Sequence, residues 1–355
     1  MSALVQQQLS LSEATDLVAS VGHLHTVLVQ GEMGIGKSSM LHALRERFPD
    51  HYCAYFDLTT KDVGDFMIPA VNDGVAEFLP NAEFGLHTGK PVILMLDEIG
   101  KAPKSVMNAC LRVMLERTVG TRKLPDGSIV FATTNLAQEG LGDNLPPHAR
   151  NRIITVQVGK PSAEQWINWA MGSDVDPVIL ATVNEFPQML SSYTEYETPD
   201  SNHYINDPRA QRAAFVTPRS LYAASNIVKS TRSLPETVLF TALAGTIGAP
   251  AAADMLAVLR LDADLPSWKD ICNNPTTSKV PTNGAAIAML VYRALVRLDE
   301  DTFDNWLTYL SRLSREAQAL FARQVMNPSA GKLRLASTNR KFVELARDLN
   351  YIFKQ

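Results

Sequence analysis

The segment Gly31-Glu32-Met33-Gly34-Ile35-Gly36-Lys37-Ser38 has the residue types and spacing needed to hold a chain of phosphates. Its glycines let the backbone fold tightly, so that successive N–H groups converge on phosphate oxygens. Lys37 brings a positive charge to the outer phosphates, and the hydroxyl of Ser38 is a ligand for Mg²⁺. Ser39 follows directly and opens a helical stretch, whose N-terminus favours bound anions. Further along, the apolar run Val92-Ile93-Leu94-Met95-Leu96 ends in Asp97-Glu98. Asp97 is expected to hold the Mg²⁺ ion and Glu98 to polarise an attacking water. A glycine-rich turn or an acidic strand end, taken alone, has an ordinary structural explanation. In this order they point to phosphoryl transfer to water.

Such groups must be delivered by strands. Short apolar runs at His25–Gln30, Tyr52–Leu58, Pro91–Leu96, Ser128–Thr134 and Ile153–Val158 alternate with helical stretches such as Ser38–Phe48 and Ser105–Leu115. Continuous apolar runs of this kind read as strands of a parallel sheet buried on both faces. The expected fold class is therefore α/β, with a five-stranded parallel sheet over the first part of the chain. After Lys160-Pro161 the strands stop. Ala163–Met171, Pro177–Leu190, Pro218–Ser230, Pro235–Ile247, Gly284–Leu298, Asp301–Leu313, Arg315–Met326 and Asn339–Phe353 read as helices. Between them, Ser191–Phe215 is long and polar for a connection. Its tyrosines, Tyr193, Tyr196 and Tyr204, are expected to pack on their own domain. Glu116–Gly120 and Arg122–Gly127 read as a β-hairpin turning at Asp126-Gly127.

With those pieces in order, the sequence resembles an AAA+ ATPase. The strand Ile129–Thr134 is followed by Asn135, at the place of the polar sensor 1 residue. Leu145–Ile153 resembles the arginine-finger segment of MoxR-type and magnesium-chelatase-type ATPases. Arg152 matches the family arginine, with Arg150 as the alternative register, because Asn151 and Ile153 depart from the family's usual residues. Val216-Thr217-Pro218-Arg219-Ser220 looks like the MoxR lid signature, which makes Arg219 the candidate sensor 2. Gly64–Phe66, Gly74–Pro80 and the Gly120–Gly127 hairpin fall where this clade carries inserts. The resemblance implies ATP and Mg²⁺ as cofactors. Gly31, Glu32, Met33, Gly34, Ile35, Gly36, Lys37, Ser38, Ser39 and Asp97 would bind them, and Glu98, Asn135, Arg152 and Arg219 would be catalytic. It also implies residues 1–158 as the nucleotide-binding core, 159–260 as an all-α lid and 261–355 as a helical extension. A homo-oligomeric ring, hexameric in this family's manner, would act on a protein client or a partner of the von Willebrand factor A type.

Composition narrows the alternatives. Lys and Arg number 33 against 37 Asp and Glu, a formal charge of -4. That balance does not favour an AAA+ motor or loader acting on nucleic acid. Local basic clusters (Arg117, Arg122 and Lys123; Lys332, Arg334, Arg340 and Lys341) keep that second reading open. Cys53, Cys110 and Cys272 are widely spaced and suit reduced thiols in the cytoplasm. No leader and no membrane span are expected, since the Leu239–Ala253 run is interrupted by Gly245, Gly248 and Pro250.

Overall fold

The computed structural model describes residues 7–136, 145–210 and 212–349. The chain divides into two compact units, Met1–Lys160 and Pro161–Gln355.

The first unit runs α1 (Leu11–Val21), β1 (Val27–Gln30), α2 (Ser39–Arg47), β2 (Tyr52–Asp57), β3 (Met67–Asn72), β4 (Val75–Pro80), β5 (Val92–Asp97), α3 (Lys104–Glu116), β6 (Thr118–Val119), β7 (Arg122–Lys123), β8 (Ile129–Thr134), α4 (Pro147–Arg150) and β9 (Ile154–Gln157). The five strands expected from their apolar runs form one parallel sheet in the order β2-β5-β8-β1-β9. Alternation within each run sends side chains to both faces. Leu28, Phe56, Leu94, Leu96, Val130 and Ala132 pack on the face covered by α3. Val27, Val29, Ile93, Met95, Ile129 and Phe131 pack on the face with buried residues of α1 and α2. No helix among the described residues is long and apolar enough to cross a membrane.

Two small hairpins stand outside this sheet. In β3–β4 the register pairs Met67 with Pro80 and Asn72 with Val75, leaving Asp73-Gly74 as the turn. Asp-Gly between apolar runs is a hairpin signal that the sequence carries plainly. The base of the hairpin is fixed on both sides: Phe66 and Phe84 are fully buried against Phe56, with Phe56 and Phe84 stacked at 4.3 Å between ring centroids. The β6–β7 hairpin corrects an expectation. Thr118 pairs with Lys123 and Val119 with Arg122, so the chain reverses at Gly120-Thr121 and not at Asp126-Gly127. The latter pair forms a separate turn, closed by Ser128 N–H donating to Pro125 O at 3.1 Å, that feeds β8.

The hairpins dock on each other. The Thr121 N–H donates to the Phe78 carbonyl at 2.9 Å. Gly120 has φ 55, and a Cβ there would lie 2.0 Å from the Phe78 oxygen.

The second unit is helical: α5 (Ala163–Ala170), α6 (Pro177–Glu185), α7 (Pro218–Thr231), α8 (Glu236–Ile247), α9 (Ala249–Arg260), α10 (Trp268–Asn273), α11 (Gly284–Arg297), α12 (Phe303–Leu310), α13 (Arg315–Val325), α14 (Leu333–Thr338) and α15 (Arg340–Asp348). α6 stops earlier than its pattern suggests, because Pro187 cannot continue it and a short 3₁₀ turn, Pro187–Leu190, follows. Gly248, Ala249 and Pro250 start α9 and do not merely interrupt an apolar run; proline fits the first turn of a helix. One continuous hydrophobic core runs from Trp166 to Leu349. The tyrosines of Ser191–Phe215 do pack inward: Tyr193 is buried, Tyr204 OH donates to Asp254 Oδ2 at 2.7 Å, and Asn202 Nδ2 donates to Tyr196 OH at 3.1 Å. The end of the helix expected over Asn339–Phe353 lies outside the described residues.

Gly120→Ala should destabilise the first unit by about 1–3 kcal/mol, because it combines a left-handed conformation with a clash against backbone. A urea titration checks this; an unchanged midpoint would mean that the hairpins do not hold each other.

Candidate active site

β1 ends at Gln30, and residues 31–38 loop from it into α2. Gly36 has φ 104, a conformation that favours glycine. Ser38 occupies the N-cap position of α2, so the loop's N–H groups and the helix N-terminus lie together.

Strand order decides what meets this loop. β8 lies between β5 and β1. Because all three run parallel, their C-terminal ends bring Asp97, Asn135 and the loop to one edge of the sheet. The Lys37 ammonium, 6% exposed, donates to Gly31 O at 2.7 Å, Glu32 O at 2.9 Å and Asn135 Oδ1 at 2.8 Å. Ser38 Oγ donates to Asp97 Oδ2 at 3.1 Å. A hydroxyl and a carboxylate are hard oxygen donors, the kind that hold Mg²⁺ together with substrate phosphates. Among the described residues no group of three or more His, Cys, Asp or Glu forms a metal cage. That donor set fits an ion brought in with phosphates.

Residues 27–158 match the protein family described as "ATPase family associated with various cellular activities (AAA)". Residues 27–158 therefore form an AAA ATPase domain. The second unit lies outside the match. No curated protein matches the chain. Solved structures resemble it loosely. One is a candidate ATPase of Cytophaga hutchinsonii, at 19% identity over 41% of this chain and 45% of that one, with a TM-score of 0.31. The chain thus spans less than half of that relative. NtrX from Brucella abortus in complex with ADP aligns at 14% identity over 98% of this chain and 69% of that one, TM-score 0.41. A variant of RuvB from Thermotoga maritima aligns at 16% identity over 86% and 87%, TM-score 0.37.

The AAA domain places the remaining candidates unequally. Glu98 follows Asp97 with φ 56, a left-handed conformation that costs a non-glycine residue about 1–3 kcal/mol and is found at functional sites. Its carboxylate is paired with Lys101 Nζ at 3.0 Å. Arg152 is exposed and lies just before the N-terminal end of β9, whose Ile154 pairs with Val27. The phosphate loop leaves the opposite end of β1, roughly 13 Å away at 3.3 Å per residue. Among the described residues the Arg152 side chain makes no hydrogen bond or ion pair. Arg150, by contrast, donates from Nε to Leu145 O at 2.9 Å. Arg219 belongs to the second unit, exposed at the second position of α7. Thr217 and Ser220 form the capping box of that helix.

Two site residues went unnoticed in the sequence. Tyr55 OH donates to Asp97 Oδ2 at 2.8 Å, and the Thr133 hydroxyl donates to Asp97 Oδ1. Thr133 could have been suspected from its place two residues before Asn135. Tyr55 could not, because only the in-register pairing of β2 with β5 brings it to Asp97.

The basic clusters are partly spent on structure. Arg117 donates from Nη2 to Gly22 O at 3.0 Å, and burial pulls its pKa down to about 10. Lys341 pairs with Asp304 at 2.9 Å, Arg340 with Glu344 at 3.1 Å, and Lys332 donates to Leu298 O. The three cysteines are free, and burial raises the Cys110 thiol to about 12, which leaves it unreactive.

Lys37→Ala is expected to abolish ATP binding at micromolar concentration, since it removes the buried charge that faces the outer phosphates. Calorimetry checks it; unchanged affinity would remove the loop from the site.

Proposed function

We propose that this chain is a MoxR-like AAA+ ATPase that hydrolyses Mg-ATP as a hexameric ring in the cytoplasm and remodels a protein client. A partner of the von Willebrand factor A type is the favoured candidate. The observation that carries the ring is the position of Arg152. It is exposed, uncommitted among the described residues and at the wrong end of β9 to reach its own phosphate loop. An arginine so placed has a use when a neighbouring subunit presents its nucleotide.

In this reading the loop Gly31–Ser39 binds the phosphates, and Lys37 neutralises the outer ones. Ser38 and Asp97 hold Mg²⁺, which when bound draws charge off the β- and γ-phosphates. Glu98 orients the attacking water, and Asn135, fixed on Lys37, holds the γ-phosphate side of the site. Arg152 acts across the interface on charge that grows in the transition state. Arg219 is the sensor 2 of a lid over residues 159–260, and residues 261–355 extend that helical unit. The arrangement of Arg150, engaged with Leu145, favours Arg152 as the finger.

The β3–β4 hairpin supports a protein client over a nucleic acid. Met67, Pro69, Val71, Ala76, Phe78 and Pro80 share one face by register, all apolar. Val71 is 73% exposed and Phe78 52%. Nucleic acid would call for cations there instead.

Glu98→Gln should bind Mg-ATP and turn over at least about 100-fold more slowly, the scale for losing a group that activates the nucleophile. Turnover close to wild type would assign that role elsewhere. Arg152→Ala should also keep ATP binding and lose turnover, by about 10³–10⁵ as for other arginine fingers. Mixing it with Lys37→Ala should partly restore activity, because some interfaces then join an intact arginine to an intact phosphate site. Mixed assemblies that stay inactive would exclude action from the neighbour.

A further inference from the structure

The β3–β4 hairpin has one apolar face and two edges that are poorly suited to a further strand. The Phe78 carbonyl accepts from the Thr121 N–H at 2.9 Å and from the Thr121 hydroxyl at 3.2 Å, so the backbone groups of Phe78 point away from β3. Opposite residues of an antiparallel ladder alternate between bonded and non-bonded pairs. Phe78–Pro69 is therefore a non-bonded pair, and Met67–Pro80 and Val71–Ala76 share that pattern, which suits two prolines with no N–H to give. These six residues form one face, and Pro69, Val71, Ala76 and Phe78 are exposed on it.

The edges decide how a partner sits on that face. β4 gives its outer edge at Phe78 to Thr121. On the outer edge of β3, Pro69 interrupts the row of donors at its centre. An extended peptide laid against either edge leaves backbone groups of its own without partners, which is costly once they are covered. A helix satisfies its own backbone and offers side chains alone. Its apolar stripe at i, i+3, i+4 and i+7 covers roughly 10 Å, close to the roughly 13 Å between the first and third rows of the face. Charge then distinguishes one rim. Arg122 and Lys123 follow Thr121, on the β4 side of the hairpin; both are exposed, and among the described residues neither side chain makes a hydrogen bond or an ion pair. Asp73 at the tip and Glu77 on the other face weigh against a phosphate backbone as the occupant.

We propose that this face docks an amphipathic helix of the client protein, its apolar stripe on Pro69, Val71, Ala76 and Phe78 and its carboxylates along the rim nearest Arg122 and Lys123. The inference rests on the reading of the chain as one that acts on a protein client, and narrows that client to a helical segment with one acidic flank. The helix lies across the face and does not extend the hairpin as a third strand.

The test measures binding and not turnover. Fluorescein-labelled peptides of about 18 residues, some five helical turns, are titrated with the full chain in ATP and MgCl₂ and followed by anisotropy. One has a leucine stripe with Glu along one flank. The others carry Lys on that flank, Ser in place of the stripe, or two prolines that prevent the helix. The Glu-flanked peptide should bind about 10-fold more tightly than the Lys-flanked one at low salt, the scale of a few exposed charge pairs, and the gap should close at high salt. The Ser and proline peptides should bind at least about 10-fold more weakly. Phe78→Ser keeps the carbonyl that Thr121 uses and should weaken the Glu-flanked peptide by about 10-fold. Arg122→Glu with Lys123→Glu should reverse the preference between flanks. Thermal midpoints confirm that the variants fold. No binding of the Glu-flanked peptide, equal binding of both flanks, tight binding of the proline peptide, or undiminished binding by folded Phe78→Ser each overturns the helix site and leaves the protein-client reading standing. Labelled single-stranded oligo-dT is the last arm. If it binds more tightly than the Glu-flanked peptide and loses that affinity in the Arg122→Glu, Lys123→Glu variant, the partner is nucleic acid and the protein-client reading falls together with the helix.

Discussion

A buried ammonium group must be compensated by acceptors, and the way Lys37 is compensated organises the whole nucleotide site. Its bonds to Gly31 O and Glu32 O close the loop on itself, and its bond to Asn135 ties that loop to the end of β8. β8 is also the neighbour of β5, so the same strand carries Thr133 to Asp97. A single strand thus reaches the cationic half of the site through Asn135 and the anionic half through Thr133. The two contacts come from residues two apart, whose side chains project to the same side at a strand end. Slipping β8 by one residue against its neighbours would break both together.

The rest of the first unit serves to keep that register. The faces of the sheet are filled by side chains in alternation, one set under α3 and the other with α1 and α2. The hairpins stand apart from this core but are not loose additions. Phe66 and Phe84 root β3–β4 in the core beside Phe56, and the Phe78 carbonyl joins it to β6–β7. The second hairpin follows α3, and α3 follows Asp97 and Glu98 by only a short turn. Short connections therefore run from the carboxylates to the exposed apolar surface.

Charge is distributed to match. Buried polar groups gather at the strand ends, where Lys37, Asp97, Thr133 and Asn135 satisfy each other. Basic residues elsewhere are largely engaged: Arg117 serves a backbone carbonyl, and Lys341 and Arg340 face acidic partners. The clusters that look like a nucleic-acid surface in one dimension are thus engaged in part, while Arg122, Lys123 and Arg334 stay exposed.

The sequence by itself determined the sheet strands, the phosphate loop and the carboxylate pair. These rest on local properties: unbroken apolar runs, glycine spacing, and a lysine and serine adjacent in the chain. An Asp-Gly pair also marks a hairpin turn at Asp73-Gly74, but the pair read as one from the sequence, Asp126-Gly127, serves a different turn. Tertiary structure decided what depends on partners distant in sequence. Tyr55 meets Asp97 because Asp57 and Asp97 pair in register, and no property of Tyr55 or its neighbours predicts that contact. Arg117 is withdrawn because Gly22 offers it a carbonyl, and Glu98 is clasped by Lys101 because the turn after β5 is tight. Arg150 and Arg152 are near equals as letters, but among the described residues only Arg150 donates to a carbonyl. Local pattern fixes which groups a strand can deliver; strand order and register fix which of them meet, because those are properties of hydrogen-bonded neighbours and not of any one segment.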